Sequence, residues 1–163
     1  MVREIRLFGD PILRTVCDPI PTISENIRTL ITDLEQTTAL PGRAGVAANQ
    51  IGVGLRAFSY MVEGKVGHLI NPEIVELIGE PIQMDEGCLS LPELWSKTTR
   101  HEKIVVRGQV MSGEEVEISA EGLLAQVFQH EIDHLDGKVY LDRLTPELRK
   151  KAMAELRQTS WFI

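Results

Sequence analysis

Residues 127–137, VFQHEIDHLDG, contain two of the four histidines of this chain and fit the pattern H-E-x-x-H at 130–134. On a helix, residues four positions apart lie on one face, a single turn from each other. His130 and His134 could therefore bind one metal ion, while Glu131 could reach a water molecule beside that ion without being a ligand. Taken alone, the pattern fits equally well a surface helix with scattered polar residues.

The residues around this pattern predict a helix over 121–136. Apolar residues such as Leu123 and Val127 recur at helical spacing before His130, and Gly137 follows the run, as Gly commonly does just past a helix end. Such a helix would be largely buried, and buried charged residues need partners. A metal ion would be a suitable partner for the two histidines.

A catalytic site of the zinc type usually has three protein ligands, so a third one is needed. The candidates are Cys88, His68, His101 and the carboxylates. A thiolate at Cys88 would be a strong ligand, although an isolated Cys is more often a small buried hydrophobic residue. His68 lies in a strand-like run and is expected to be structural, and His101 lies among charged residues and is expected at the surface.

The length and composition indicate one soluble globular domain over 1–163, in which 43% of residues are hydrophobic and 25% charged. The net charge of −7 argues against broad nucleic-acid binding, and no apolar run approaches the ~20 residues of a membrane span. The start, MVREIRLFGDP, has no signal-peptide pattern. We therefore expect a cytoplasmic protein whose two cysteines, Cys17 and Cys88, do not form a disulfide.

Periodicity places the remaining elements. Helical spacing predicts an N-terminal helix capped by Ser24, and Thr145 with Pro146 predicts the start of a C-terminal helix. A loop is predicted over 39–54. Strands are predicted over 55–62, 65–72 and 73–79, with a hairpin of 103–111 and 114–119. The sequence thus predicts an α+β fold in which mostly antiparallel sheets pack around the 121–136 helix.

Three segments in order resemble the signature motifs of peptide deformylases: GVAANQIG at 45–52, EGCLS at 86–90 and QHEIDHLDG at 129–137. The segment FGDPILR at 8–14 is also similar to that family, so the resemblance extends over essentially the whole chain. It implies a metal-dependent hydrolase that removes the formyl group from the N-terminal methionine of nascent N-formyl-methionyl polypeptides.

The resemblance also implies a role for each motif residue. The metal ligands would be Cys88, His130 and His134, and Glu131 would be the general acid and base. The implied metal is Fe²⁺ in cells, often replaced in purified protein by Zn²⁺, Ni²⁺ or Co²⁺.

The other implied roles concern the substrate. The side-chain amide of Gln50 and the backbone N–H of Leu89 would stabilise the oxyanion, and the substrate backbone would pass Gly45. The face of the 121–136 helix that bears His130 also carries three residues expected to line the methionine pocket, although two of them could equally be core: Leu123, Gln126 and Val127.

The first motif departs from the family pattern at two positions. Arg43 stands where a Gly is usual, and Val46 stands where a Leu is usual. Arg43 could change the backbone of the loop or add a charge at the mouth of the cleft. The metal chemistry would be unaffected by either residue.

Two other functions fit part of the sequence. A metallopeptidase shares H-E-x-x-H, but a Cys ligand within EGCLS argues against it, and intact motif residues argue against an inactive relative that only binds peptide.

The basic segment ELRKKAMAELRQ at 147–158 could contact the ribosome transiently, as in some deformylases, or be an ordinary solvated helix face.

Overall fold

The computed structural model describes residues 1–162 and has an α+β fold. A five-stranded antiparallel sheet has the order β1-β2-β3-β6-β7, and β4 and β5 form a second antiparallel sheet. The strands are β1 Gly45–Ala47, β2 Ala57–Val62, β3 Lys65–Ile78, β4 Ile82–Cys88, β5 Leu91–Arg100, β6 Lys103–Gln109 and β7 Glu115–Glu121. The helices are α1 Glu25–Thr38, α2 Gly122–Leu135 and α3 Pro146–Leu156.

The central helix, α2, carries H-E-x-x-H and packs on the five-stranded sheet. Its Phe128 is fully buried and lies against Phe58 and Tyr60 of β2, with ring centroids 5.7 and 4.9 Å apart. Such tilted and edge-on aromatic contacts add to the hydrophobic stabilisation. The predicted helix and the predicted arrangement of sheets around it are therefore confirmed.

The two outer helices begin where the sequence predicted. The Ser24 hydroxyl accepts a hydrogen bond from the Ile27 N–H, and the Thr145 hydroxyl accepts one from the Leu148 N–H. These caps satisfy backbone donors that have no partner in the first turn of a helix. None of the described helices is both long and apolar enough to cross a membrane.

The two strands predicted over 65–72 and 73–79 are one continuous strand, β3. Its pairing with β6 shifts register between Ile70 and Glu73, around Asn71, which has a φ of 50°. The Asn71 side chain bonds to both the N–H and the C=O of Ile20. A bulge held in this way bends a strand without ending it. The presence of Pro72 in the sequence did not indicate such a bulge.

Other elements of the fold were not predicted from the sequence. The segment 39–54, expected to be a loop, contains β1 and a 3-10 turn at Ala48–Ile51. Strand β5 was also missed, because its Pro92 and its polar run from Ser96 to Arg100 do not show a regular apolar alternation.

Truncating Phe128 tests whether α2 depends on its aromatic contacts. Phe128→Ala should lower the free energy of unfolding by about 3–5 kcal/mol, because it leaves a cavity between α2 and β2. The measurement is urea denaturation, with Leu77→Ala as the control, since Leu77 is 50% exposed. A similar, small effect of both substitutions would contradict the central packing role of Phe128.

Candidate metal centre and active site

Three side chains from two distant segments converge at the end of β4. The ligand atoms of Cys88, His130 and His134 all lie within 4.8 Å of one another. The Cys88 Sγ atom is 3.3 Å from His134 Nε2, which is 3.2 Å from His130 Nε2. One soft and two borderline donors at this spacing form a set that could hold one divalent metal ion.

The local structure around each ligand explains this convergence. The two histidines are one turn apart on α2, as the sequence predicted. The ladder between β4 and β5 is irregular between Gly87 and Cys88, so that Cys88 pairs with Leu91 across a tight turn. Within that turn, the N–H of Ser90 donates a hydrogen bond to Cys88 Sγ over 3.4 Å. The turn therefore directs the sulfur towards α2.

Glu131 lies buried beside this cluster without a hydrogen-bond partner for its Oε2 atom among the described residues. Burial raises the pKa of the Glu131 carboxyl to about 7. A Cβ atom at Gly45 would lie only 2.6 Å from Glu131 Oε1. Only glycine at position 45 therefore allows strand β1 to lie this close to the carboxyl group.

Gln50 lies on the other side of the cluster and is held by two hydrogen bonds. Its Oε1 accepts a hydrogen bond from the Ala47 N–H, and its Nε2 donates one to Ser90 Oγ over 3.1 Å. The same Nε2 is 3.7 Å from Cys88 Sγ. Leu89 follows Cys88 directly and lines the same cleft.

The predicted substrate residues line a cleft of about 350 Å³ that opens onto this cluster. Val127 is buried in its wall, while Leu123 is 53% exposed at its rim. The Gln126 side chain donates hydrogen bonds to Asp85 O and Glu86 Oε1, so it ties α2 to β4. The cleft also includes Gly45 and Leu89.

The two remaining histidines lie away from the cluster. His68 lies in β3, and its Nε2 accepts a hydrogen bond from the Met111 N–H. His101, which was expected at the surface, is partly exposed. Its backbone exchanges two hydrogen bonds with the Gln129 side chain on α2, and its Nδ1 lies 3.1 Å from Gly79 O.

Comparison with known proteins establishes the family. The sequence profile of polypeptide deformylases matches residues 2–150. The chain belongs to the polypeptide deformylase family.

Individual relatives agree over nearly full length. Peptide deformylase of Acidothermus cellulolyticus is 48% identical over 160 residues, which cover 98% of this chain and 88% of that protein. Peptide deformylase of Parafrankia sp. is 44% identical, with the same coverage. The crystal structure of peptide deformylase from Thermus thermophilus superimposes with a TM-score of 0.90 at 37% identity, covering 96% of this chain and 93% of that chain.

In this deformylase-family chain, a carboxylate that the sequence analysis did not assign supports one histidine of the cluster. His130 Nδ1–H donates to Glu86 Oε2 over 2.7 Å. Such a bond leaves Nε2 free to bind a metal and fixes the orientation of the ring. Arg100 in turn donates to both oxygens of Glu86, over 3.0 and 2.6 Å.

The same guanidinium connects to α2. Arg100 Nη1 donates to Asp133 Oδ2 over 2.6 Å, and Arg143 donates to both Asp133 oxygens. Burial alone would raise the pKa of the Glu86 and Asp133 carboxyls, but the hydrogen bonds and positive charges around them hold both pKa values below their usual range. Both groups are therefore carboxylates at neutral pH.

One signal in the sequence could have identified Glu86. Side chains two positions apart on a strand face the same side, so Glu86 shares the face of Cys88 in β4. No comparable signal marked Arg100, because the pairing that brings β5 beside β4 depends on a strand that was not predicted.

Replacing Glu86 tests the support of His130. Glu86→Gln keeps the shape of the side chain but removes its charge, and it should weaken metal binding by about 10- to 100-fold. The measurement is metal retention in competition with a chelator. Asp85→Asn is the matched control, since the Asp85 side chain is 74% exposed. Equal affinities in the two variants would show that Glu86 does not support the ligand.

Proposed function

We propose that this protein hydrolyses the formamide at the N-terminus of nascent N-formyl-methionyl polypeptides and releases formate, with the residue roles set out below. The observation that carries these roles is the buried carboxyl of Glu131 beside the Cys88, His130 and His134 cluster, in a cleft of about 350 Å³. Membership of the polypeptide deformylase family supports the same reaction.

The donor set fits one divalent metal ion held by Cys88, His130 and His134. Three protein ligands leave a coordination position for water or substrate, as in catalytic rather than structural sites. When bound, the ion supplies Lewis acidity and lowers the pKa of water to about 7. We propose Fe²⁺ as the metal in cells, and Zn²⁺, Ni²⁺ or Co²⁺ as substitutes in purified protein.

Glu131 is proposed to move the proton of the reaction. Its carboxylate accepts a proton from the attacking water, whose oxygen forms a bond to the formyl carbon. The bond between that carbon and the amine nitrogen then breaks, and Glu131 delivers the proton to the nitrogen. A pKa near 7 suits a group that must both accept and release a proton at neutral pH.

Two donors are proposed to stabilise the negative charge on the former carbonyl oxygen. One is Gln50 Nε2, which donates to Ser90 Oγ and lies 3.7 Å from Cys88 Sγ, directly beside the ligand cluster. The other is the backbone N–H of Leu89. Loss of one such donor typically lowers the rate about 10²- to 10³-fold.

The walls of the cleft are proposed to position the peptide. Its backbone would pass Gly45, on the edge of β1 that faces away from β2. Its methionine side chain would lie against three residues of α2: Leu123, Gln126 and Val127. The hydrogen bonds of Gln126 to β4 give this wall a fixed polar end.

Replacing Glu131 tests the reaction and the base together. Metal-loaded wild-type protein should release formate from a formyl-methionyl peptide and should not cleave the unformylated peptide. Glu131→Ala should lose several orders of magnitude in kcat while retaining its metal. Glu86, the other buried carboxyl at the cluster, cannot replace the lost base because it is already bonded to His130 and Arg100.

Glu121→Ala is the control, since the Glu121 side chain is 74% exposed at the start of α2. Full activity of Glu131→Ala would refute the proposed base. Cleavage of the unformylated peptide by the wild type would instead indicate a peptidase.

We further propose a transient contact of α3 with the ribosome in the cytoplasm, where the substrate is made. Lys150 and Lys151 are exposed on α3, and phosphate groups of ribosomal RNA would attract them.

Charge reversal tests this contact. The double substitution Lys150→Glu with Lys151→Glu should reduce co-sedimentation with ribosomes at low salt and leave the hydrolysis of short peptides unchanged. The control is Lys65→Glu with Lys138→Glu, two exposed lysines elsewhere. Unchanged co-sedimentation of the α3 variant would exclude docking through this helix.

A further inference from the structure

The loop over 39–44 joins α1 to β1 and forms one wall of the cleft. Arg43 and Ala44 lie in that wall, directly before Gly45. The tip of the loop is open: Gly42 has a φ of 82°, and no atom of the described residues lies within 4 Å of the position that a Cβ would take there.

Arg43 connects this loop to the end of α1. Its Nη1 donates a hydrogen bond to the backbone C=O of Thr37 over 2.9 Å. Thr37 lies in the last turn of α1, where carbonyl groups have no partner within the helix. The negative end of the helix dipole also attracts the positive guanidinium. The side chain is therefore held across the loop instead of extending as a free charge into the cleft.

Few other hydrogen bonds restrain the loop. The Ala39 N–H bonds to Glu35 O as the helix ends, and Ala44 O accepts from the Met61 N–H as the sheet begins. Between them, over 40–42, no hydrogen bond to any of the described residues is present. Within the part of the chain that the structure describes, the Arg43 bond is thus the one polar restraint between the two ends of the loop.

Geometry downstream makes this restraint relevant to the site. Gly45 follows the loop directly and lies in the same wall of the cleft, so a shift of the loop would change the surface along which the substrate backbone is proposed to pass. We propose that Arg43 is a positioning residue: by bridging to Thr37, it holds the α1–β1 loop in the conformation that receives the substrate peptide. The expected change in KM rests on the proposed function, whereas the expected change in hydrogen exchange does not.

Arg43→Met tests the bridge, because it keeps the length of the side chain and removes every donor. KM for a formyl-methionyl peptide should rise about three- to tenfold while kcat stays within about twofold, since binding and not chemistry is affected. Amide hydrogen exchange at Met61, whose N–H donates to Ala44 O, should become faster, because the loop opens more often. Arg43→Lys, which keeps a charged donor, should restore much of both properties.

The matched control is Arg28→Met. It removes an exposed arginine from the first turns of α1, where Arg28 pairs with Glu25. If Arg43→Met matches this control in hydrogen exchange, the inference is overturned. A fall in kcat with unchanged KM would also overturn it. If even the wild type releases no formate, the proposed function fails, and the exchange comparison alone decides whether Arg43 holds the loop.

Discussion

The guanidinium of Arg100 is the interaction on which the arrangement of this site depends. Its side chain is only 3% exposed, and it is held between the carboxylates of Glu86 and Asp133. A buried cation is costly unless it is paired and fully hydrogen-bonded, and here all three nitrogens of its fork have carboxylate partners. Because one partner lies on β4 and the other on α2, the pairing fixes the two segments that carry the metal-binding cluster.

Helix α2 meets three different demands around its circumference. One face carries His130 and His134 into the cluster, another places Phe128 in the hydrophobic core, and a third directs Asp133 towards Arg100 and Arg143. Nine of its 14 residues are buried, and the exposed ones lie in its first turn. Its position is therefore set by packing and charge together, and a change in one face is transmitted to the others.

A feature of the fold could be predicted from the sequence where the residues that determine it lie close together in the chain. The histidine spacing, the caps at Ser24 and Thr145 and the hairpin before α2 depend on residues close in the chain, and all are present in the structure. The pairing of Glu86 with Arg100 depends on the register between β4 and β5, which no local pattern determines. The identity of the motifs predicted which side chains meet, but the buried network that holds them required the tertiary structure.

The two sheets lie on either side of the cleft, and β1 is the edge strand of the five-stranded sheet there. Among the described strands, β1 pairs only with β2, so its other edge faces the cleft. An unpaired edge is normally a liability, because it can recruit another chain. Here the strand is three residues long and lies at the proposed site, so under the proposed function the chain that pairs with this edge would be the extended backbone of the substrate, passing Gly45 beside Glu131.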